Sequence, residues 1–469
     1  MTNKKILIFF PDGVGLRNFA FTQFKEIGEQ RGNKIIYWNN TAFPLQEELG
    51  YDEVKIKTQK IHPLTPFYCR IRKHIELNVA TKKFADSVYQ TYKFPFNYSG
   101  IKNTLMTLFI RLLIALNSSE KGILRIRKRI NSLERSTEKY NYCKAQLQEI
   151  KPDLVFCTTQ RASQSIGSLL AAQDLGIPTL TFVYSWDNVP KAMQLVETDY
   201  YCVWSNLMKK EMQKYYPFVK ENQLIVTGTP QFEPHYDKTL LQTRAAFFAQ
   251  YNLDIAKKYI CFSGDDETTS PLDQYYLEDL AHAVRALNVK GYCLGIIYRK
   301  CPVDTTNRYD VVIEANKDVI AVIDPLWQAI GKNWNEVFPT KADLQLLHNV
   351  CAHSELVTNV CSSTVFDFVA HDKPCVYYNY EQPQLKKGIR NIGQNYKYVH
   401  FRSMPSPEAA IFCTDKNQLE SQIEAILKGN LSNIPEGKKW YEIVAGKSPT
   451  QASEKIWDAI DTIVNEIKN

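Results

Sequence analysis

The sequence predicts an α/β protein of two doubly wound domains, and three observations predict it. Short apolar runs alternate with helical patterns in two successive series, which is how a parallel sheet wrapped by helices reads in sequence. At 469 residues the chain exceeds one ordinary core, so two domains of roughly 200 residues each are expected. A hydrophobic content of 44% with 23% charged residues is that of a globular chain, and excludes a disordered one.

The first series opens with "KILIFF" (Lys5 to Phe10), whose five apolar residues run straight into Pro11 and Asp12. That is too short for a secretory leader and reads as a first strand. "KIIYW", "DLVFCTT", "TLTFVYS", "YYCVWS" and "LIVTG" continue the series. At "VTGTPQFEPHYD" (Val226 to Asp237) a strand ends in Gly228, and Pro230 and Pro234 follow, which places the domain boundary there. The expected domains are 1–230 and 231–469. The second series is "YICFSG", "CLGIIYR", "VIAVI", "ELVTNV" and "PCVYYNY". At the C-terminus, Ile456, Ala459, Ile460, Ile463 and Val464 recur at helical spacing, so a one-sided helix is expected to close the second domain.

Eleven cysteines are scattered without a Cys-x-x-Cys pair, which reads as reduced thiols of a cytoplasmic protein rather than disulfides or zinc. The net charge is +7, and its distribution matters more than its total. Lys102, Arg111, Lys121, Arg125, Arg127, Lys128, Arg129 and Arg135 face only Glu120 and Glu134 in the segment 102–135. Leu105, Leu108, Phe109, Leu112, Leu113 and Leu116 form a helical stripe beside this basic run, which suits an anionic membrane surface. The competing reading is a helix with its apolar face in the core. The run "TLMTLFIRLLIAL" (Thr104 to Leu116) is about 13 residues long and interrupted by Arg111, against roughly 20 for a span, and is read as non-spanning. The charge also fits nucleic acid, but no recognition motif or interleaved aromatics accompany it, so no nucleic-acid partner is expected.

Candidate chemistry lies in the loops after strands, where doubly wound folds bind ligands. In "ELVTNVCSSTVFDFVAH", Ser362, Ser363 and Thr364 stand where a strand passes into a helix; such a turn either caps the helix or seats a phosphate. Asp367, one turn on, could accept from ribose hydroxyls. "SGDDETTSPLDQ" follows the first strand of the second series, Arg299 ends the next and could pair with phosphate, and Pro325 and Trp327 end a third, where a base could stack. In the first series "VYSWDNVPKAMQ" offers Trp186, Asp187 and Asn188 as a sugar platform, or as an Asx turn before Pro190. Asp12 follows the first strand in "FFPDGVGLRNFAF", which lacks the third glycine of a dinucleotide fingerprint. Asp12 either stabilises the glycine turn or serves as a base. His62 and His353 read as surface or satisfied core histidines. With no Asp-x-Asp and no spaced His/Asp/Glu cluster, no metal is expected.

"VTGTP", the strand end "YRKCPVD…RY" (Tyr298 to Tyr309) and "LVTNVCSSTVFDFVAHDKPCVYY" together resemble the C-terminal half of GT-B glycosyltransferases. The likeness is to bacterial surface-polysaccharide enzymes and the related CDP-glycerol glycerophosphotransferases. It covers about half the chain at motif level, and "Trp-Asp-Asn" is similar to what bacterial polysaccharide transferases carry. The resemblance implies two Rossmann-like domains facing a cleft, with donor phosphates at Arg299, Ser362, Ser363 and Thr364, the ribose near Asp367 and the base near Pro325 to Trp327. It further implies an acceptor on the first domain near Trp186 and Asn188, with Asp12 or Asp187 as catalytic base. The expected function is transfer of a sugar from a nucleotide-sugar donor to a cell-surface polysaccharide or lipid-linked glycan, without cofactor or metal. The expected location is cytoplasmic, with a peripheral seat on the inner face of the membrane. Three alternatives stay open: a CDP-glycerol-type glycerophosphotransferase, whose histidine pair has no visible counterpart in the sequence; a sugar-nucleotide epimerase; and a non-catalytic nucleotide-sugar-binding protein.

Overall fold

A computed structural model describes residues 4–57, 60–329, 337–386 and 388–468. The chain forms two compact units, Met1–Thr229 with Gln451–Asn469, and Pro230–Thr450. Unit one holds strands β1 (Lys5–Phe10), β2 (Lys34–Asn39), β3 (Glu53–Lys55), β4 (Leu154–Cys157), β5 (Thr179–Phe182), β6 (Tyr200–Val203) and β7 (Leu224–Val226). They pair in parallel in the order β3-β2-β1-β4-β5-β6-β7. Ile6 to Phe10 are all fully buried, because helices cover both faces of a parallel sheet.

Unit two holds β8 (Lys258–Ser263), β9 (Leu294–Arg299), β10 (Ile320–Ile323), β11 (Trp327–Ala329), β12 (Val337–Pro339), β13 (Ser354–Asn359), β14 (Cys375–Tyr378) and β15 (Ile411–Cys413). Its parallel sheet runs β10-β9-β8-β13-β14-β15, and β11 and β12 form a separate antiparallel pair with Trp327 opposite Pro339. Every strand expected from the sequence is present. Four strands were not foreseen, β3 and β15 at the sheet edges and the pair β11 and β12, each of three residues and too short to give a period.

The C-terminal helix corrects the expected domain plan. The helix Ala452–Lys468 packs on unit one, not on unit two. Its Trp457 is fully buried, stacks 5.0 Å from Phe24 and donates from Nε1 to the Phe24 carbonyl at 2.7 Å. Lys4 and Arg31 bind Asp461, and Arg31 also binds Asp458. A Cβ on Gly28 would collide with the Trp457 indole, so the glycine is what lets the ring in.

The basic segment splits into two kinds of surface. Arg127 of the helix Glu120–Arg135 is buried, pairs with Glu76 at 2.8 Å and donates to the carbonyls of Gln194 and Leu195. Arg72 grips the same Glu76 at 2.6 Å, so this part of the expected polybasic face is an internal charge network that anchors the 192–195 loop. Lys121, Arg125, Lys128 and Arg129 remain exposed. The preceding helix is Gly100–Asn117, longer than the 13-residue run suggests, and by length and composition it could cross a membrane. It packs through Thr107, Ile110 and Ile114, whereas Leu105, Leu108, Phe109, Leu112 and Leu116 are 51–68% exposed. Five of the six stripe residues face outward, and Leu113 packs against the core, so the core-facing reading holds for Leu113 alone.

Candidate functional site

In unit two the sheet order reverses direction between β8 and β13, the switch point where open α/β sheets leave a crevice beyond their carboxyl ends. Ser263 ends β8, and its Oγ lies 3.3 Å from Oγ1 of Thr364, beyond the end of β13. Thr364 Oγ1 is 2.9 Å from Ser362 Oγ, which also accepts from the Thr364 N–H. The turn is held by the Ser362 N–H on Asn359 Oδ1 at 2.9 Å and by Cys361 at φ 47°, a left-handed conformation uncommon outside glycine. Ser363 is exposed. The three expected hydroxyl residues thus stand together at the switch point. In the loop after β8, burial pushes the Asp265 carboxyl well above its ordinary value, reinforced by Asp273 and Asp266, a perturbation that sequence spacing could not reveal.

Arg299 and the Pro325–Trp327 loop meet at a residue the sequence reading missed. Arg299 Nη2 lies 3.0 Å from both oxygens of Asp343, which also accepts from the Leu326 N–H at 2.9 Å and Trp327 Nε1 at 2.8 Å. The arginine charge expected for phosphate is therefore opposed by a carboxylate. Trp327 begins β11 with its indole N–H engaged, and Pro325 is half-buried just before it.

Asp367 is also placed differently from the expectation. It is buried, and its Oδ1 accepts from His235 Nε2 at 2.9 Å, so it is committed to a histidine rather than held open for a ribose. His235 Nδ1 lies 3.1 Å from His371 Nε2, and His348 joins them. Burial, then neighbouring His235, lowers His348 to about 4 and His371 to about 3. These three histidines are 23 to 136 residues apart in the chain, which is why no spacing pattern announces them. His353, by contrast, stacks on Phe247 and contacts the Gln242 carbonyl, as a satisfied core histidine does.

In unit one the switch point lies between β1 and β4. Asp12 stands just past the end of β1, caps the turn Gly13–Gly15 and accepts from the Val14 N–H at 3.2 Å. Desolvation raises its pKa against the lowering pull of Arg161, which follows β4. Asp12 therefore holds the turn, and its carboxyl is more basic than an ordinary one. Gly15 has no room for a side chain because Thr158 lies against it.

Asp187 is engaged by Ser185 Oγ at 2.6 Å, Asn188 Nδ2 at 2.9 Å and Lys191 Nζ at 2.5 Å. Its carboxylate is thus committed to donors of its own loop, whereas Asp12 accepts from one backbone N–H. Trp186 and Asn188 are 9% and 4% exposed, so the expected sugar platform is packed inward, with Asn188 Oδ1 held by Gln160. Arg70, Lys73, Phe94 and Arg161 line a concavity of about 390 Å³ in the same unit. Burial and neighbouring Arg72 and Lys191 lower Lys73 to about 8. A second cavity of about 280 Å³ is apolar, lined by Leu77, Ala80, Phe84, Ile123, Val189 and Tyr215.

Glu211 was not foreseen: burial raises it to about 8, with Lys214 lowering and Asp187 raising. Because the folded state holds this proton more tightly than the unfolded chain, stability falls as pH rises from the ordinary glutamate range to about 8. Glu211→Gln removes that loss. The melting-temperature difference, variant minus wild type, is expected to grow between pH 5 and pH 8 and then level off; a pH-independent difference would contradict a buried neutral Glu211.

No family model matches the sequence, and no curated protein matches it. Solved structures do match in fold. A candidate UDP-N-acetylglucosamine 2-epimerase from Listeria monocytogenes aligns over 99% of this chain and 98% of its own at 11% identity, with a TM-score of 0.57. A glycosyltransferase from Rickettsia africae aligns over 100% of both chains at 12% identity, TM-score 0.52. A UDP-GlcNAc 2-epimerase from Neisseria meningitidis, solved bound to UDP-GlcNAc, aligns over 98% of this chain and 100% of its own at 10% identity, TM-score 0.52. The fold class is that of GT-B proteins, with two Rossmann-like units.

Proposed function

We propose that the protein is a glycosyltransferase that takes a sugar from a nucleotide-activated donor and places it on a cell-surface polysaccharide or lipid-linked glycan. The observation that carries this reading is the hydroxyl cluster Ser263, Ser362 and Thr364 bridging the β8–β13 switch point. Hydroxyls and turn N–H groups offer donors to a diphosphate without a metal. In the reaction the acceptor hydroxyl attacks the anomeric carbon, the bond to the phosphate oxygen breaks, and the nucleotide leaves with its charge spread over those donors. Asp12, on unit one, takes the acceptor proton. The outward leucine stripe of Gly100–Asn117 and the exposed Lys121, Arg125, Lys128 and Arg129 beside it fit a protein working on the surface of an anionic membrane, where a lipid-linked acceptor lies.

A panel of UDP-, GDP-, CDP- and CMP-linked sugars tests the donor site by thermal shift. At least one is expected to raise the melting temperature, with affinity about tenfold weaker in Ser363→Ala/Thr364→Val, the loss of one or two neutral hydrogen bonds. No stabilisation by any nucleotide would sink the donor site. The epimerase reading is favoured by the fold of its neighbours, and it makes a different prediction: a changed sugar nucleotide with no acceptor present, rather than free nucleotide released only with acceptor. Binding with neither product would mark a non-catalytic binding protein.

A further inference from the structure

Three histidines from separate elements converge inside unit two: His235 in the 3₁₀ stretch Pro230–Tyr236, His348 in the helix Lys341–His353 and His371 just past the helix Thr364–Val369. One ring nitrogen of each lies within 4.8 Å of the others. The geometry points to a binding site for a single divalent transition-metal ion of the zinc class, ligated by His235, His348 and His371, with Asp367 orienting His235 from behind.

Four features support this. His235 and His348 are 7% and 3% exposed and His371 is half-buried, so the cluster is largely enclosed with His371 at its open side. Both ring nitrogens of His348 are buried without a hydrogen-bond partner among the described residues, an unfavourable state that a ligand would remove. Asp367 accepts from Nε2–H of His235 at 2.9 Å, which fixes the tautomer with a lone pair on Nδ1 facing the other rings. A carboxylate behind a ligating imidazole is the usual outer support of zinc histidines. Finally, His235 Nδ1 and His371 Nε2 are 3.1 Å apart. Two nitrogens at 2.0–2.1 Å on a tetrahedral ion lie about 3.3 Å apart, so this pair already has ligand spacing, and the His348 nitrogen closes on it from within 4.8 Å. His371 then carries its proton on Nδ1 instead of sharing it with His235.

Three imidazoles leave one position for a water, and hard cations such as Mg²⁺ are disfavoured by an all-nitrogen set. The ion would pin the first turn of unit two to the helix that begins at Thr364, bracing the turn Ser362–Thr364 from its far end. It takes no part in the transfer proposed above, and its presence does not depend on that reading.

The test uses the full chain, stripped with chelator and titrated with Co²⁺. One equivalent is expected to bind with visible ligand-field bands, to raise the melting temperature and to be displaced by Zn²⁺. His348→Ala is expected to lower Co²⁺ affinity at least 100-fold and Asp367→Asn about 10–100-fold, with far-UV circular dichroism confirming that each variant is folded. Wild-type protein that takes up neither Co²⁺ nor Zn²⁺ stoichiometrically overturns the site, and this measurement does not rely on any variant folding. Uptake that is unchanged in folded His348→Ala overturns it equally.

Discussion

Asp12→Asn is expected to lower kcat by about 10²- to 10⁴-fold, the usual worth of a positioned general base, while donor affinity measured by thermal shift stays within about twofold. The substitution suits the site, because an asparagine oxygen can still accept from the Val14 N–H and keep the Gly13–Gly15 turn. Wild-type activity is expected to fall as pH drops through the raised pKa of Asp12, since the base must be ionised, and that acid limb should vanish from the residual activity of the variant. The stability sign runs the other way: a carboxyl raised by burial makes the folded state less favourable once ionised, so Asp12→Asn is not expected to be less stable at neutral pH. Asp187→Asn is the control. With donors from Ser185, Asn188 and Lys191 around it, Asp187 shapes its loop, and its loss should act on KM and stability while the acid limb persists. Full activity in Asp12→Asn would remove Asp12 from the mechanism.

The second large effect is structural. Trp457→Ala should cost about 3–5 kcal/mol, the range for deleting a buried aromatic, and lower the melting of unit one by roughly 6–20 °C. The side chain is fully buried, stacked on Phe24 and bonded to its carbonyl, and it lies directly against Gly28. Calorimetry distinguishes the two possible partners of the last helix. A fall in the transition of unit one is expected, whereas a selective fall in that of unit two would contradict the packing on Phe24, Lys4 and Arg31.

Much of the architecture was readable because parallel strands buried on both faces are continuous apolar runs. "KILIFF" and "CLGIIYR" could hardly be anything else, and the helices between them force parallel pairing. Edge strands were not readable, since Glu53–Lys55 and Ile411–Cys413 are too short to show alternation. The last helix announced its apolar face but not its partner. One-sided periodicity says that a face is buried; it carries no information about which surface buries it.

The candidate site divides in the same way. From the sequence alone, the chain is a doubly wound α/β protein with a hydroxyl turn, Ser362 to Thr364, at a strand end, and an aspartate, Asp12, at another. Both follow from local order, because a strand that enters a helix must expose its turn at the carboxyl edge of the sheet. Tertiary structure decided everything that depends on partners. Arg299, expected to face phosphate, is opposed by Asp343 from 44 residues away, and Asp367, expected to face ribose, is bound to His235 from 132 residues upstream. Trp186 and Asn188 turn inward, and Arg127 leaves the basic face to hold Glu76. A side chain's charge and hydrogen-bonding capacity are written in its identity, but whether they are spent internally or kept for a ligand depends on which distant segment folds against it.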